Sequence, residues 1–261
     1  VLVDGVRMND TSSASGDFDF SSLLVTDIER IEVVRGPQST MWGSDAIGGV
    51  INIITRKGEG RPAGQVFAEG GSYDTWRLGG SLRGTSGDTR YAVSGSWLDT
   101  GGFSRVDRNI GATERDGSEI ATLSGNIGRK ISENYDIELT GQYSDSQADT
   151  DPSLSNRAGD GEAYSQRKVT SLQLNNRFSQ PDGRLQHRAS VFFSNTDRVF
   201  SNMRQAQPHS VFDGQSYGIE YQGDAELAGG TLTAGTRQQI DQANGSRRGG
   251  NRPTIREFDA R

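Results

Sequence analysis

Two rhythms of apolar and polar residues divide this chain. Up to about Thr55 the apolar residues come in short dense runs. From about Pro62 onward they alternate with polar residues over long stretches. In the first region Ile28-Glu29-Arg30-Ile31-Glu32-Val33-Val34 mixes alternation with an apolar run, which predicts a strand buried on at least one face. Arg35-Gly36-Pro37 stops it, because proline cannot donate to a ladder. A second strand, rich in β-branched residues, is predicted over Val50–Thr55 and is announced by Gly48-Gly49. Ahead of both, Val1–Val6 reads as a short strand turning at Asp4-Gly5. Arg7–Ser22 is polar and small, a loop by composition. Phe18, Phe20, Leu23 and Leu24 anchor its far end in a short helix or turn.

In the second region Tyr135, Ile137, Leu139, Gly141 and Tyr143 alternate with Asp136, Glu138, Thr140, Gln142 and Ser144. Tyr217, Ile219, Tyr221, Ala225 and Leu227 alternate with Glu220, Gln222, Asp224 and Glu226. The same rhythm recurs at Trp76/Leu78/Leu82, Tyr91/Val93/Trp97, Leu123/Ile127, Leu172/Leu174/Phe178, Ala189/Val191/Phe193 and Leu232/Ala234/Ile240. Period two sends one set to each face of a sheet, and the carboxylates and amides make the second face wet. Short turns are predicted at Ser86-Gly87-Asp88, Ser132-Glu133-Asn134, Pro181-Asp182-Gly183 and Ala228-Gly229-Gly230. Long polar loops are predicted at Asp99–Ser118, Asp145–Ser165, Val199–Phe212 and Gln242–Pro253. Short turns at one end and long loops at the other are the habit of outer-membrane barrels. About nine strands are countable.

Composition sharpens that picture. Hydrophobic residues are 31% of 261 and there are 35 glycines, a poor inventory for a water-soluble core. A membrane barrel needs apolar side chains only on its lipid face. No apolar run reaches the ~18–20 residues of a membrane helix. Cysteine is absent, which excludes disulfides, thiol catalysis and thiolate metal sites. A formal net charge of -6 argues against a nucleic-acid partner. His187 and His209 are the two histidines and neither sits in a metal-ligand spacing such as HExxH. No GxSxG elbow occurs, and Gly-rich GSDAIGG is not a phosphate loop, so no enzyme is read here.

The ordered series VDGV, IERIEVVRGP, GSDAIGGVINI and TRKG over residues 1–58 resembles the second half of the plug domain of TonB-dependent outer-membrane transporters. Trp42 departs from the tyrosine more usual there. The remainder of the chain is similar to the opening strands of the same family's barrel. The resemblance implies a mainly β fold: the C-terminal part of a plug over 1–58, then the first nine or so antiparallel strands of an incomplete 22-stranded transmembrane barrel over 59–261. Glu59-Gly60-Arg61-Pro62 is the linker. It also implies that the chain is an internal fragment lacking its leader and TonB-contact segment.

Three groups of residues are candidates for function. In the transporters this chain resembles, the loop carrying Asn9, Asp10, Ser12, Ser13, Ala14 and Ser15 is the plug apex that meets substrate; fixed polar groups there suit a large polar ligand. Alternate carboxylates at Asp145, Asp149, Asp151 and Asp160 offer the oxygen ligands calcium takes, and their spacing is similar to a calcium loop of the cobalamin receptors; an ordinary solvated loop is the alternative. Glu29, Arg30, Glu32 and Arg35 on the plug strand are candidate partners for lumen charges such as Asp136, Glu138, Glu220 and Arg177, or else plain surface pairs. The function implied is TonB-dependent uptake of a scarce, large ligand across the bacterial outer membrane. Cobalamin, a ferric siderophore or haem would be the ligand; no cofactor is required. The expected partners are TonB, membrane lipid and lipopolysaccharide, and the expected state is a monomer. A passive channel or adhesin, and a soluble all-β enzyme or carbohydrate-binding module, are the rival classes.

Overall fold

The computed structural model describes residues 1–13, 16–37, 46–104, 115–150, 163–202, 209–227 and 229–248. Two sheets organise them. The smaller is built from β1 (Leu2–Val3), β2 (Val6–Arg7), β3 (Ile28–Arg35) and β4 (Gly49–Thr55), in the order β2-β1-β4-β3. Val3 pairs with Val6 across Asp4-Gly5, whose φ angles of 49° and 90° are those a tight hairpin asks of its two central residues. β1 runs parallel to β4 and β3 antiparallel to it. Gly49 holds φ 142°, and a Cβ there would overlap the carbonyl oxygen of Val34, so this strand start needs glycine. Between β2 and β3 a short 3₁₀ turn, Phe20–Ser22, is capped by Asp19, which accepts from Ser21 N–H at 2.9 Å.

The larger sheet is a meander of nine antiparallel strands, each bonded to its neighbours in sequence. These are β5 (Ala63–Gly71), β6 (Thr75–Ser86), β7 (Thr89–Phe103), β8 (Asp116–Ser132), β9 (Tyr135–Thr150), β10 (Ala163–Ser179), β11 (Leu185–Asn202), β12 (His209–Leu227) and β13 (Gly230–Arg248). Among the described residues β5 and β13 each have one partner strand, so the wall is open at both edges. Two-residue turns, Gly87-Asp88 and Glu133-Asn134, lie at one end. Gln180–Arg184 closes that end between β10 and β11. At the opposite end the β5–β6 turn places Tyr73 and Asp74 at φ 62° and 56°.

The wall is inside-out relative to a soluble sheet. On β8, Leu123 is 54% exposed while Ser124 beside it is 9%. Val93, Ile127, Leu139, Leu172, Val191, Tyr217 and Ile219 share the exposed apolar face. The opposite face buries Ser94, Ser96, Asn126, Glu138, Ser171 and Gln173 and knits them together, with Ser94 Oγ 2.8 Å from Ser124 Oγ and Ser96 Oγ 2.9 Å from Thr122 Oγ1. Apolar surface in contact with hydrocarbon costs nothing, whereas polar groups need partners or water. The smaller sheet packs against this polar face. Its core of Val3, Val6, Met8 and Ile53 closes on Phe192, with Phe18, Leu23 and Val169 around it. Tyr135, Ile137 and Leu139 lie on the other side, as period two requires.

Candidate functional site

The small sheet meets the wall at two levels. At the long-loop end, residues 8–19 form a loop tied to itself. Asn9 Nδ2 donates to Gly16 O at 2.7 Å. Asp10 Oδ1 accepts from Ser12 N–H at 2.9 Å and from Ser12 Oγ–H at 2.6 Å, an Asx turn. Asp10 N–H donates to Asp17 O, and Ser13 N–H to Asp10 O, at 3.3 and 3.2 Å. Asp10 is 2% exposed. Its other oxygen faces two wall cations, Arg198 at 3.5 Å and Arg167 at 3.9 Å. Arg167 also stands 3.8 Å from Asp19, and Arg198 lies 4.9 Å over the Phe212 ring. Between this apex and the wall is a cavity of about 560 Å³, lined by Ser13, Asp17, Phe18, Ser146, Arg167 and Arg198 among others.

Toward the short-turn end the contacts come from the segments flanking β3 and β4. Thr26 Oγ1 accepts from Arg77 at 3.0 Å, Ser124 Oγ–H donates to Asp27, and Asn126 Nδ2 donates to Arg56 O at 3.0 Å. Lys57 pairs with Glu138, which also holds Arg90 at 3.0 Å; Arg90 in turn grips Asp136 at 2.5 and 2.6 Å. Burial pushes the Asp27 carboxyl above its usual range, a shift that the Ser124 bond and the Arg56 charge oppose and that Asp4 reinforces. Gly58 is buried, and a Cβ there would overlap the backbone of Tyr91 and Gly84. Asp4 braces the smaller sheet internally, accepting from Thr55 N–H and Oγ1–H at 3.0 and 2.6 Å.

The expected apex residues are therefore mostly structural. Asn9 and Asp10 hold the loop's shape, Ser12 supports Asp10, Ser13 lines the cavity, and Ala14 and Ser15 fall outside the described residues. Of the two readings of the β3 charges, plain surface pairs are what the described residues form. Arg30 pairs with Glu29 at 2.9 Å and Glu32 at 2.8 Å, and Glu32 accepts from Asn52 at 3.3 Å; Arg35 is exposed. β3 is the outer strand of the smaller sheet, so among the described residues its charges meet each other instead of the wall. Arg30 holds the Glu32 carboxyl below its usual range. Lys57, Asp27 and Asp10 make the contacts that β3 was expected to make. Asp145 and Asp149 sit within β9, not in a loop. Asp145 faces Lys168 at 3.5 Å. Asp151 and Asp160 lie outside the described residues, and among those described no group of three or more acidic or histidine side chains is placed to hold a metal.

A sheet lodged on the polar face of an inside-out wall is the arrangement of a plugged barrel. Residues 1–50 match the sequence family described as the TonB-dependent Receptor Plug Domain. The chain is similar to the TonB-dependent receptors. The vitamin B12 transporter BtuB of Photobacterium profundum is 36% identical over 156 residues, 59% of this chain and 25% of that protein. Among solved structures, the siderophore receptor PirA of Acinetobacter baumannii superposes with a TM-score of 0.73 over 92% of this chain and 40% of its own, at 19% identity. The copper transporter OprC gives 0.72 over 94% and 38%, at 20% identity. At such identities the structures speak for the fold alone. The chain spans about a quarter of the curated relative and about two fifths of the solved ones. Its place is the bacterial outer membrane, where the exposed face of β5–β13 meets hydrocarbon.

Proposed function

We propose that this receptor takes up a scarce, large ligand across the outer membrane, with the small sheet as the plug and TonB as the partner that displaces it. The observation that carries this is the contact between plug and wall. It is made of a few charged and hydroxyl bonds around a modest apolar core, not of a continuous dry interface. Each polar contact contributes roughly 0.5–3 kcal/mol, so the plug stays seated at rest and a directed pull can break the bonds in turn. Cobalamin is the ligand we favour, since the 36% identical relative is a vitamin B12 transporter and the apex cavity is lined by hydroxyl, carboxylate and guanidinium groups. Fixed polar groups of that kind orient a large polar solute.

The test is uptake of radiolabelled cyanocobalamin by cells whose only such receptor is the full-length protein, with and without a proton-gradient uncoupler. Gradient-dependent uptake is expected. Uptake that persists at full rate in uncoupled cells identifies a passive channel and overturns the energised mechanism. Uptake of a ferric chelate or haem in place of cyanocobalamin keeps the mechanism and replaces the ligand.

A further inference from the structure

Two arginines of the wall face the apex cavity, and the more buried of them is incompletely satisfied. Arg167 is 9% exposed, yet its two carboxylate neighbours stand at 3.8 and 3.9 Å, past hydrogen-bond range. Its Nε, also buried, has no hydrogen-bond partner among the described residues. A buried guanidinium donor left without an acceptor is costly. Arg198 reaches Asp10 at 3.5 Å and lies over the Phe212 ring. The carboxylates do not close the gap, although the oxygens that face the arginines are their Oδ2 atoms. Asp10 Oδ1 is committed to Ser12 and Asp19 Oδ1 to Ser21, so each turn holds its carboxylate back while the wall strands hold the arginines. The result is a pair of cations at the cavity, one with a spare buried donor, sharing one buried acid of the plug.

We infer that Arg167 and Arg198 form a subsite for an anionic oxygen group of the ligand, and that this group releases Asp10 when it binds. An incoming phosphate or carboxylate can accept two parallel bonds from a guanidinium fork, which a tethered carboxylate at 3.8 Å cannot match. Taking Arg167 and Arg198 into that contact removes the charge partners of Asp10. Asp10 is the residue around which the apex loop turns, so occupancy on the outer side loosens the top of the plug. Asp17 and Asp19 also border the cavity and disfavour any anion that does not reach both arginines, so the same charges that weaken binding sharpen its selectivity. On the cobalamin reading, on which the ligand assignment rests, the group is the phosphodiester of the nucleotide loop.

The experiment uses the full-length receptor in detergent and two corrinoids, cyanocobalamin and cobinamide, which lacks the phosphodiester. Arg167→Gln and Arg198→Gln are each expected to raise the Kd for cyanocobalamin about tenfold, with less than about a twofold change for cobinamide. Arg167→Lys keeps the charge but not the fork and should fall between wild type and Arg167→Gln; it also serves as the folding control. In parallel, hydrogen exchange of residues 9–19 is followed as inorganic phosphate replaces chloride at matched ionic strength. Faster exchange in wild type but not in Arg167→Gln is the expected result. Equal losses for both corrinoids, or no difference between phosphate and chloride in wild type, overturns the inference. If wild type binds neither corrinoid, the cobalamin reading fails and the phosphate arm still decides the subsite.

Discussion

Asp27 is a carboxylate placed where ionisation is penalised, because burial outweighs the help of Ser124 and Arg56. Its folded pKa is raised above the unfolded value, so the folded chain binds the proton more tightly. That contribution is fully present below the ordinary carboxylate pKa and is lost as pH rises through the folded one. Asp27→Asn should therefore flatten the pH dependence of plug stability over the range above about pH 4. Denaturation midpoints of the full-length protein across that range check it; parallel curves for both forms would contradict the assignment. Arg30→Ala should leave the midpoint essentially unchanged, since exposed ion pairs contribute little. Gly58→Ala should cost about 1–3 kcal/mol, because its methyl must displace the backbone of Tyr91 and Gly84. The contrast tests which residues seat the plug. Arg30 stands out in the sequence because it is charged, whereas Gly58 has no side chain to draw attention.

At the scale of the strand, most of the wall is legible in the sequence. Alternation marks the outward residues of β6–β13, and Gly87-Asp88, Glu133-Asn134 and Gln180–Arg184 close where turn chemistry predicts. β5 is harder to see, since Val66 and Phe67 are its only large apolar residues and the rest is alanine, glycine and polar residues. The loops are shorter than composition predicts. β9 runs to Thr150, past its last large apolar residue Tyr143, and β11 runs through Val199 and Phe200 to Asn202. Above the hydrocarbon both faces of a strand can be polar, so the ladder continues without its pattern. Phe192 breaks the alternation in Val191-Phe192-Phe193, and that break is the signal for a second apolar contact on the inner face. Leu123→Arg should cost about 2–4 kcal/mol if Leu123 faces mid-bilayer. Urea-dependent refolding of the full-length receptor into lipid vesicles measures it, and a cost near zero would place Leu123 outside the hydrocarbon.

For the whole molecule, the family and the outward face can be read from sequence, but the partners across the plug–wall junction cannot. Lys57 lies 81 positions from Glu138 and Asp27 97 positions from Ser124; no local pattern pairs such residues, and only the closure of the sheet around the plug brings them together. Lys57→Glu should unseat the plug and admit large antibiotics to cells. The double variant Lys57→Glu/Glu138→Lys should restore much of the barrier, and a pair of additive defects would mean the two residues act apart. A transmembrane strand needs about ten residues, whereas β8 has 17 and β12 has 19. The surplus must stand in water as a parapet, held by its backbone ladder without the support of the surrounding oil. Deuterium should therefore enter the amides of that rim before those of the belt, and denaturation should begin from the rim downward.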